Sequence, residues 1–444
     1  MKLWDKGISL DSEIEKFTVG RDREMDLYLA PFDVLGTLAH ITMLSEIGLL
    51  TPDELSVLKK ALLGIYEDIR QDRFEISEGM EDVHSQVEFL LTAQLGELGK
   101  KVHSGRSRND QVLVDVKLFL RDSLREVVDL TADWFRELQR LSELHKEVLM
   151  PGYTHLQVAM PSSFGLWFGA YAESLSDDLQ VVRAAWEIVN QNPLGSAAGY
   201  GSSFPLNRTQ TTQLLGFRDL NYNVVYAQMG RGKTEKTVAF ALSSLAATLS
   251  RFAMDACLYM SQNFGFISLP DQFTTGSSIM PHKKNPDVFE LTRAKCNRIQ
   301  SLPYEISLML NNLPSGYFRD LQLLKEVLFP ALAELKDCLA MMTFLSGKIT
   351  VRKDILEEEK YRYLFSVEEV NRRVLSGMAF RDAYRQVGEE IRSGSFSWEG
   401  KLSHTHEGSI GNLCTAQIAD KFNAVYAGFD FESVDRAIAR LTGQ

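Results

Sequence analysis

The chain has 444 residues, 45% hydrophobic and 24% charged, a globular balance that excludes extensive disorder and gives enough length for two or three packing units. Its 59 acidic and 48 basic residues leave a formal net charge of −11, and no basic stripe of useful length occurs, which excludes an ordinary nucleic-acid partner. An anionic ligand must therefore be held by a local cluster of donors, since the overall field repels it.

In chain order, Met1-Lys2-Leu3-Trp4-Asp5-Lys6-Gly7 lacks the apolar run of an export signal. No later window combines the length of a membrane span with freedom from charged or strongly polar residues. The expectation is a cytoplasmic chain with no membrane partner. Residues 1–105 read as an N-terminal domain of shorter helices broken by Gly and polar turns. From 106 to 350 long helical periodicities dominate. Val112, Val116, Phe119, Leu124, Val127 and Val128 mark one stripe, and Leu175, Leu179, Val182, Trp186 and Val189 a second. Leu242, Leu245, Leu249, Phe252, Ala256 and Tyr259 mark a third, and the stretch from Leu321 to Phe344 a fourth, with a kink expected at Pro330. Steps of three and four are the signature of helices packed lengthwise, so this is the expected central bundle domain. Residues 351–444 read as a small C-terminal helical domain with a polar loop from Gly400 to Gly411. Strand signals are sparse, and the Asn-Gly and Asp-Gly turns of tight hairpins are missing between apolar runs. The predicted fold class is all-α, a long central helix bundle flanked by two smaller helical domains.

Cys257, Cys296, Cys338 and Cys414 are widely spaced, without a metal-binding pattern, and read as reduced thiols in helices. The Gly-rich run Asn192–Gly201 lacks a following Gly-Lys-Ser/Thr, so it reads as a tight turn and not a nucleotide loop. His404-Thr405-His406 has no completing ligand set beyond Glu407 and reads as a solvated loop.

Three polar segments join the long helices. Val102–Gln111 places Arg106 and Arg108 beside a helix start, where free N–H groups and the positive dipole end favour a carboxylate. A well-capped, solvated helix start explains this segment equally well. Met150–Gln157 contains His155, a residue type that exchanges protons near neutral pH. A lone loop histidine is more often structural. Thr275–Asp287 contains Gly276-Ser277-Ser278, Lys283 and Lys284. There Asn285, Pro286 and Asp287 read as N-cap, N1 and N2 of the next helix. Lys283 beside that helix start suits a carboxylate whose charge rises during reaction. A capped surface turn explains Asn-Pro but not the serines and lysines together.

The third segment matches the signature Gly-Ser-Ser-x-Met-Pro-x-Lys-x-Asn-Pro from Gly276 to Pro286 and so resembles the fumarase/aspartase superfamily. His103–Gln111 and Met150–Gln157 are similar to the forms found in its argininosuccinate lyase branch. The resemblance extends over most of the chain to about residue 385. It implies a tetramer with a shared helical core, each active site built from three subunits of a homotetramer, and carbon–nitrogen β-elimination of argininosuccinate to arginine and fumarate, with no cofactor and no metal. By the same resemblance, Ser277 is the base, Lys283 stabilises the dianion, His155 is the general acid, and Glu290 orients His155. Ser107, Asn109 and Thr154 fall to the fumarate-side carboxylates, Tyr317, Gln322 and Lys325 to the rest of the substrate, and Arg108 and Asn285 are further substrate-binding residues. Three departures fall on the amine side: Leu323-Leu324 replaces a usual Glu-Asp pair, Asp22 stands where Ser is usual, and Ala227–Lys233 replaces a segment rich in Asp and Ser. Two alternatives stay open. One is a sister lyase acting on a related or acylated succinyl-amine. The other is a non-catalytic, crystallin-like structural homologue, which would have no need of Ser277, Lys283, His155 and Glu290.

Overall fold

The computed structural model describes residues 11–443, so Met1–Gly7 lies outside the described residues. Helices α1 (Ser12–Val19), α2 (Asp22–Asp26), α3 (Ala30–Glu46), α4 (Pro52–Arg70), α5 (Val83–Leu95) and α6 (Glu97–Lys100) come first. Local chemistry sets their starts. Thr51 and Glu54 exchange reciprocal cap bonds at α4, with Pro52 in the first turn, where its missing N–H costs nothing. Then follow α7 (Arg108–Leu144), α8 (Phe164–Val189), α9 (Arg208–Leu214), α10 (Val224–Met260), α11 (Asp287–Ile299), α12 (Leu302–Leu310) and α13 (Leu323–Ser346). The chain ends with α14 (Ser366–Leu375), α15 (Phe380–Ser393), α16 (Thr415–Tyr426) and α17 (Phe431–Thr442).

Helix α8 packs between α7 and α10, and α13 packs on both α7 and α10. The first two stripes are buried throughout, and in the third only Tyr259 is half-exposed. Aromatic rings lock the middle of the bundle: Trp167 stacks on Phe252 at 5.3 Å, and Trp134 meets Phe252 edge-on at 5.4 Å. Burying each such side chain contributes on the order of 2–3 kcal/mol. Helix α13 runs through Pro330 as one element, with Leu328, Phe329, Ala331 and Leu332 buried around it. The packing of those neighbours holds the helix where proline alone would end it. The seam runs on through Met342 to Leu345, both buried, whereas Phe344 faces outward and is 49% exposed.

The apolar character of α10 has a second consequence. One 18-residue window reaches a mean hydropathy of 1.3, long and apolar enough by composition to span a bilayer, although Lys236 and Arg251 stand too close together for any such window between them to be free of charge. Of that window 56% is buried inside the protein, so its apolarity serves the bundle core. Helix α10 is also interrupted: Arg231 (ψ 136°) and Gly232 (φ 80°) leave helical geometry. A Cβ at position 232 would lie 2.3 Å from a Leu310 methyl, so both backbone and space call for glycine.

The segment joining α7 to α8 is a β-hairpin and not a loop. Strand β1 (Leu149–Thr154) pairs antiparallel with β2 (Gln157–Ser163), with a register shift between Pro151 and Tyr153. Two further two-stranded pairs are two residues long per strand. In the C-terminal stretch, α14 and α15 enclose a small core of Val370, Ala383, Val387 and Phe396. Ile418, Phe422, Phe429 and Leu441 join the main core instead. His404 is not a solvated loop residue: its Nε2 lies 3.0 Å from Glu368 Oε1, and the pair is mostly buried. Cys257, Cys296 and Cys338 are free thiols in helices, whereas Cys414 precedes α16 in left-handed backbone at φ 55°.

Candidate active site

A cleft of about 390 Å³ opens where α2, α5, α7, α10 and the start of α13 converge. Five of the expected substrate residues line it: Arg108, Asn109, Tyr317, Gln322 and Lys325. Each is placed by local structure. Ser107 caps α7, its Oγ accepting the N–H of Asn109 at 3.2 Å while Asp110 reaches back to the Ser107 N–H at 2.8 Å. That puts Arg108 and Asn109 on the first helical turn. Asp110 also accepts N–H groups from Gly195 and Ala197, both at 2.9 Å, so the Gly-rich turn is fastened to the base of α7. Burial pushes the Asp110 carboxyl up to about 6 against these donors.

The cleft is also lined by residues that the sequence reading had not assigned: Asp26, Glu81, Asp82, His84 and Arg319, together with Asp22 and Arg231. Arg108 is held by Glu81 (3.5 Å), Asp82 (3.2 Å) and Ser85 Oγ (2.8 Å). The buried Lys325 ammonium sits between Asp26 and Asp22, 2.5 Å from the latter. Burial, with the neighbouring Asp26, pushes the Asp22 carboxyl up to about 6 against the pull of Lys325. The signal for this cluster was the i, i+4 pair Asp22 and Asp26, but its cation lies about three hundred residues away.

His84 forms the floor. It is 5% exposed, 2.7 Å from Asp33 and 3.5 Å from Asp115. Burial lowers its pKa, but Asp33, Asp115 and Asp82 outweigh that and raise it to about 9. The imidazolium thus neutralises a buried acidic group under the cleft. A folded-state value above the unfolded one near 6.5 gives stability that is complete below pH 6.5 and lost as pH rises through about 9. Thermal melts should therefore show Tm falling through that window. His84→Gln should have a lower Tm at pH 7 and lack that component of the fall. An alkaline profile identical in the two proteins would contradict this.

The remaining expected residues lie elsewhere on the chain. Thr154 and His155 are exposed at the β1–β2 turn, where His155 (φ 54°) and Leu156 (φ 57°) both take left-handed backbone. Two such non-glycine residues in succession are strained, and strain of this kind gathers at functional sites. The third polar segment is a loop closed at its base by a two-way backbone pairing of Thr275 with Asn285 and by a Thr275–Asp287 side-chain hydrogen bond. Helix α11 starts at Asp287 with Pro286 as N-cap, one residue later than predicted. Asn285 does not cap it; its amide donates to the Gly276 carbonyl at 3.3 Å and so shapes the loop. Lys283 consequently stands four residues ahead of the helix, exposed and without an ion pair among the described residues, whereas Lys284 pairs with Asp271. Ser277 Oγ accepts two backbone N–H groups, from Ile279 (3.3 Å) and Met280 (3.1 Å). Two donors aimed at one hydroxyl oxygen favour its ionised form. Glu290 is exposed on α11, and among the described residues no hydrogen bond joins it to His155.

The chain therefore gathers Arg108, Asn109, Tyr317, Gln322 and Lys325 in one inner cleft and leaves Thr154 and His155 at the β1–β2 turn, Ser277, Lys283 and Asn285 on the Thr275–Asp287 loop, and Glu290 on α11. Residues 8–301 match the family model described as Lyase. The chain is 64% identical over 440 residues to argininosuccinate lyase of Parabacteroides distasonis, covering 99% of each. It is 62% identical to that of Bacteroides fragilis (100% and 99% covered) and 38% identical to that of Thermotoga neapolitana (88% and 98% covered). Among solved structures, an EDDS lyase variant with bound fumarate aligns with a TM-score of 0.77 at 22% identity, covering 98% of this chain and 95% of that one. A class II fumarase from Schistosoma mansoni aligns with a TM-score of 0.72 at 15% identity, covering 95% and 96%.

Proposed function

This chain belongs to the argininosuccinate lyase family, and from that membership we propose that it splits argininosuccinate into arginine and fumarate, as a carbon–nitrogen lyase of arginine biosynthesis. The observation that carries this reading is identity above 60% to argininosuccinate lyases along essentially the whole chain, joined to the intact Ser277, Lys283 and His155 loops.

The difficult step is removal of a weakly acidic proton from the carbon next to a carboxylate, because it makes a dianionic aci-carboxylate. Each tenfold in rate requires about 1.4 kcal/mol of stabilisation at that point. Ser277 takes the proton, its oxygen poised by the N–H groups of Ile279 and Met280. Lys283, which has no ion pair among the described residues, neutralises the charge that develops. The electron pair left on carbon forms the double bond of fumarate as the carbon–nitrogen bond breaks, and His155 delivers a proton to the departing guanidine. Ser107, Asn109, Thr154 and Asn285 hold the carboxylates of the fumarate half. Arg108, Tyr317 and Gln322 line the cleft that takes the remainder.

The inner cleft of one protomer works with the exposed loops of two others in a homotetramer. Supporting this, α10 exposes Tyr226 (38%), Met229 (49%), Phe240 (54%) and Met254 (46%) along its length, and α11 exposes Leu291 (60%). Apolar surface repeated on long helices is what a shared helical core covers. Such an assembly would work in the cytoplasm.

The test is release of fumarate, followed by its absorbance, from argininosuccinate in parallel with adenylosuccinate, aspartate and malate. Argininosuccinate alone should respond; a response to another substrate alone points to a sister lyase, and none to any points to a structural homologue. The shared site adds a sharper outcome. Two inactive variants, His155→Asn and Ser277→Ala, should regain activity when their subunits are mixed, because some sites then receive an intact residue from each. No recovery from a mixed tetramer means that one subunit supplies both residues.

A further inference from the structure

We propose that this chain carries a second ligand site, a cavity between α8, α9 and α17 that binds a small phosphorylated polyanion through Arg183, Arg218, Arg436 and Arg440. The cavity shares no residue with the candidate cleft, and its occupancy is independent of the lyase reading.

Its volume is about 900 Å³, more than twice that of the cleft. One wall is the C-terminal part of α8, the second is α9 with the turn after it, and the third runs from Gly428 into α17. That third wall lies beyond residue 301, where the match to the lyase family ends. No residue of α10 or α11, whose exposed faces are assigned to the shared core, lines it. Close backbone approach builds the walls. Gly216 (φ 64°) lets α17 dock, since a Cβ there would lie 2.8 Å from Ala437 Cβ and 3.2 Å from Val434 Cα. A Cβ at Gly428 would fall 2.3 Å from Arg183 Cζ, so the Arg183 guanidinium lies directly against bare backbone.

Four guanidinium groups line the cavity against one acid, Asp430. Arg183 and Arg218 share a single oxygen of Glu187, at 3.6 and 3.1 Å, and Arg436 reaches Glu432 at 3.3 Å. Every side chain in these pairs is more than a third exposed, where solvent screening leaves such pairs weak and open to exchange for a ligand. Arg440 has no ion pair among the described residues. A fifth guanidinium lies beneath. Arg121 is 4% exposed and meets no carboxylate among the described residues. It donates to the Leu215 carbonyl at 2.8 Å, the Gly216 carbonyl at 3.0 Å and Asn190 Oδ1 at 3.3 Å, and it covers the Phe217 ring at 4.7 Å. Gly216, Asn190 and Phe217 are themselves part of the lining. A buried cation without a counter-charge adds positive potential to the open space above it, on a chain whose net charge is −11. The buried Oε1 of Gln210, also in the lining, has no partner among the described residues and is left for a donor on the ligand. Guanidinium forks arriving from separate elements suit a ligand with more than one phosphate, since each fork offers two parallel N–H donors to tetrahedral oxygens.

Calorimetry on the full-length protein, with inorganic pyrophosphate as the probe at about 0.15 M salt, tests this. One site per chain is expected, with a dissociation constant below about 1 mM. Arg218→Gln and Arg440→Gln should each weaken binding about tenfold, the scale of one charge-assisted contact. Gly428→Ala, which pushes the Arg183 fork aside, should weaken it without removing a charge. Arg385→Gln, at an exposed arginine of α15, should leave it unchanged. A Tm near wild type shows that each variant is folded. Absence of saturable binding overturns the site, as does binding that survives in the double Arg218→Gln, Arg440→Gln variant. Competition by argininosuccinate would place the probe in the cleft and overturn it too. Equal affinity for citrate, which brings several negative charges without phosphate, overturns the phosphate assignment.

Discussion

Ser277→Ala lowers kcat by at least about 10²-fold, the scale of a lost general base, while substrate binding and assembly stay near wild type. The hydroxyl is half-exposed on a loop and its only hydrogen bonds among the described residues are those from the Ile279 and Met280 amides, so nothing in the described core depends on it. Those two donors give the expectation its physical content. They lower the cost of placing negative charge on Oγ, and a hydroxyl that merely closed a turn would not need to become charged. Ser278, next in sequence and exposed, with no side-chain hydrogen bond among the described residues, is the control. Ser278→Ala should be nearly silent. If both alanines cost the same, the loop conformation and not the Ser277 oxygen carries the effect. If Ser277→Ala keeps more than about a hundredth of wild-type turnover, the base is another group.

Lys283→Met lowers kcat far more than it raises KM. The extra negative charge it meets exists only near the transition state, so an interaction with that charge leaves ground-state binding little altered. The loop separates its two lysines by their partners. Lys284 is tied to Asp271, whereas Lys283 is exposed and has no ion pair among the described residues, which leaves its ammonium to face a ligand. Lys284→Met should therefore have a small effect. A rise in KM alone at Lys283 would make it a ground-state carboxylate binder. Similar losses at both positions would make the loop's overall charge, and not one ammonium, the active feature. Both assays need only steady-state kinetics on four variants.

The seams of the long helices were legible because the burial of a packed helix repeats every three to four residues, and Leu175 to Val189 or Leu242 to Ala256 satisfy that period without interruption. The polar segments were legible for the opposite reason: serines, lysines and a histidine between such seams have no packing role. The β1–β2 hairpin escaped because its turn is His155-Leu156, not a pair with intrinsic left-handed preference, and because its strands carry Pro151, Gly152 and Pro161. The floor of the cleft escaped because its logic is long-range. His84 finds Asp33 fifty-one residues back, and Lys325 finds Asp26 across 299 residues. No local pattern encodes pairings of that span. The start of α11 was misplaced by one residue because Asn-Pro-Asp fits a cap on local chemistry, whereas Asn285 is engaged by the loop behind it.

The two-residue turn at His155 and Leu156 sets foldability against chemistry. Left-handed backbone costs a residue with a Cβ on the order of 1–2 kcal/mol relative to what glycine pays. Asn-Gly in the same place would relieve most of that, and optimisation of stability without regard to turnover would rewrite these two positions early. The result would be a sturdier hairpin with no imidazole at its tip. Engineering this scaffold for heat resistance thus has a built-in conflict at one turn, and the gains open to it lie in the bundle and the outer helices, where no reacting group depends on a strained residue.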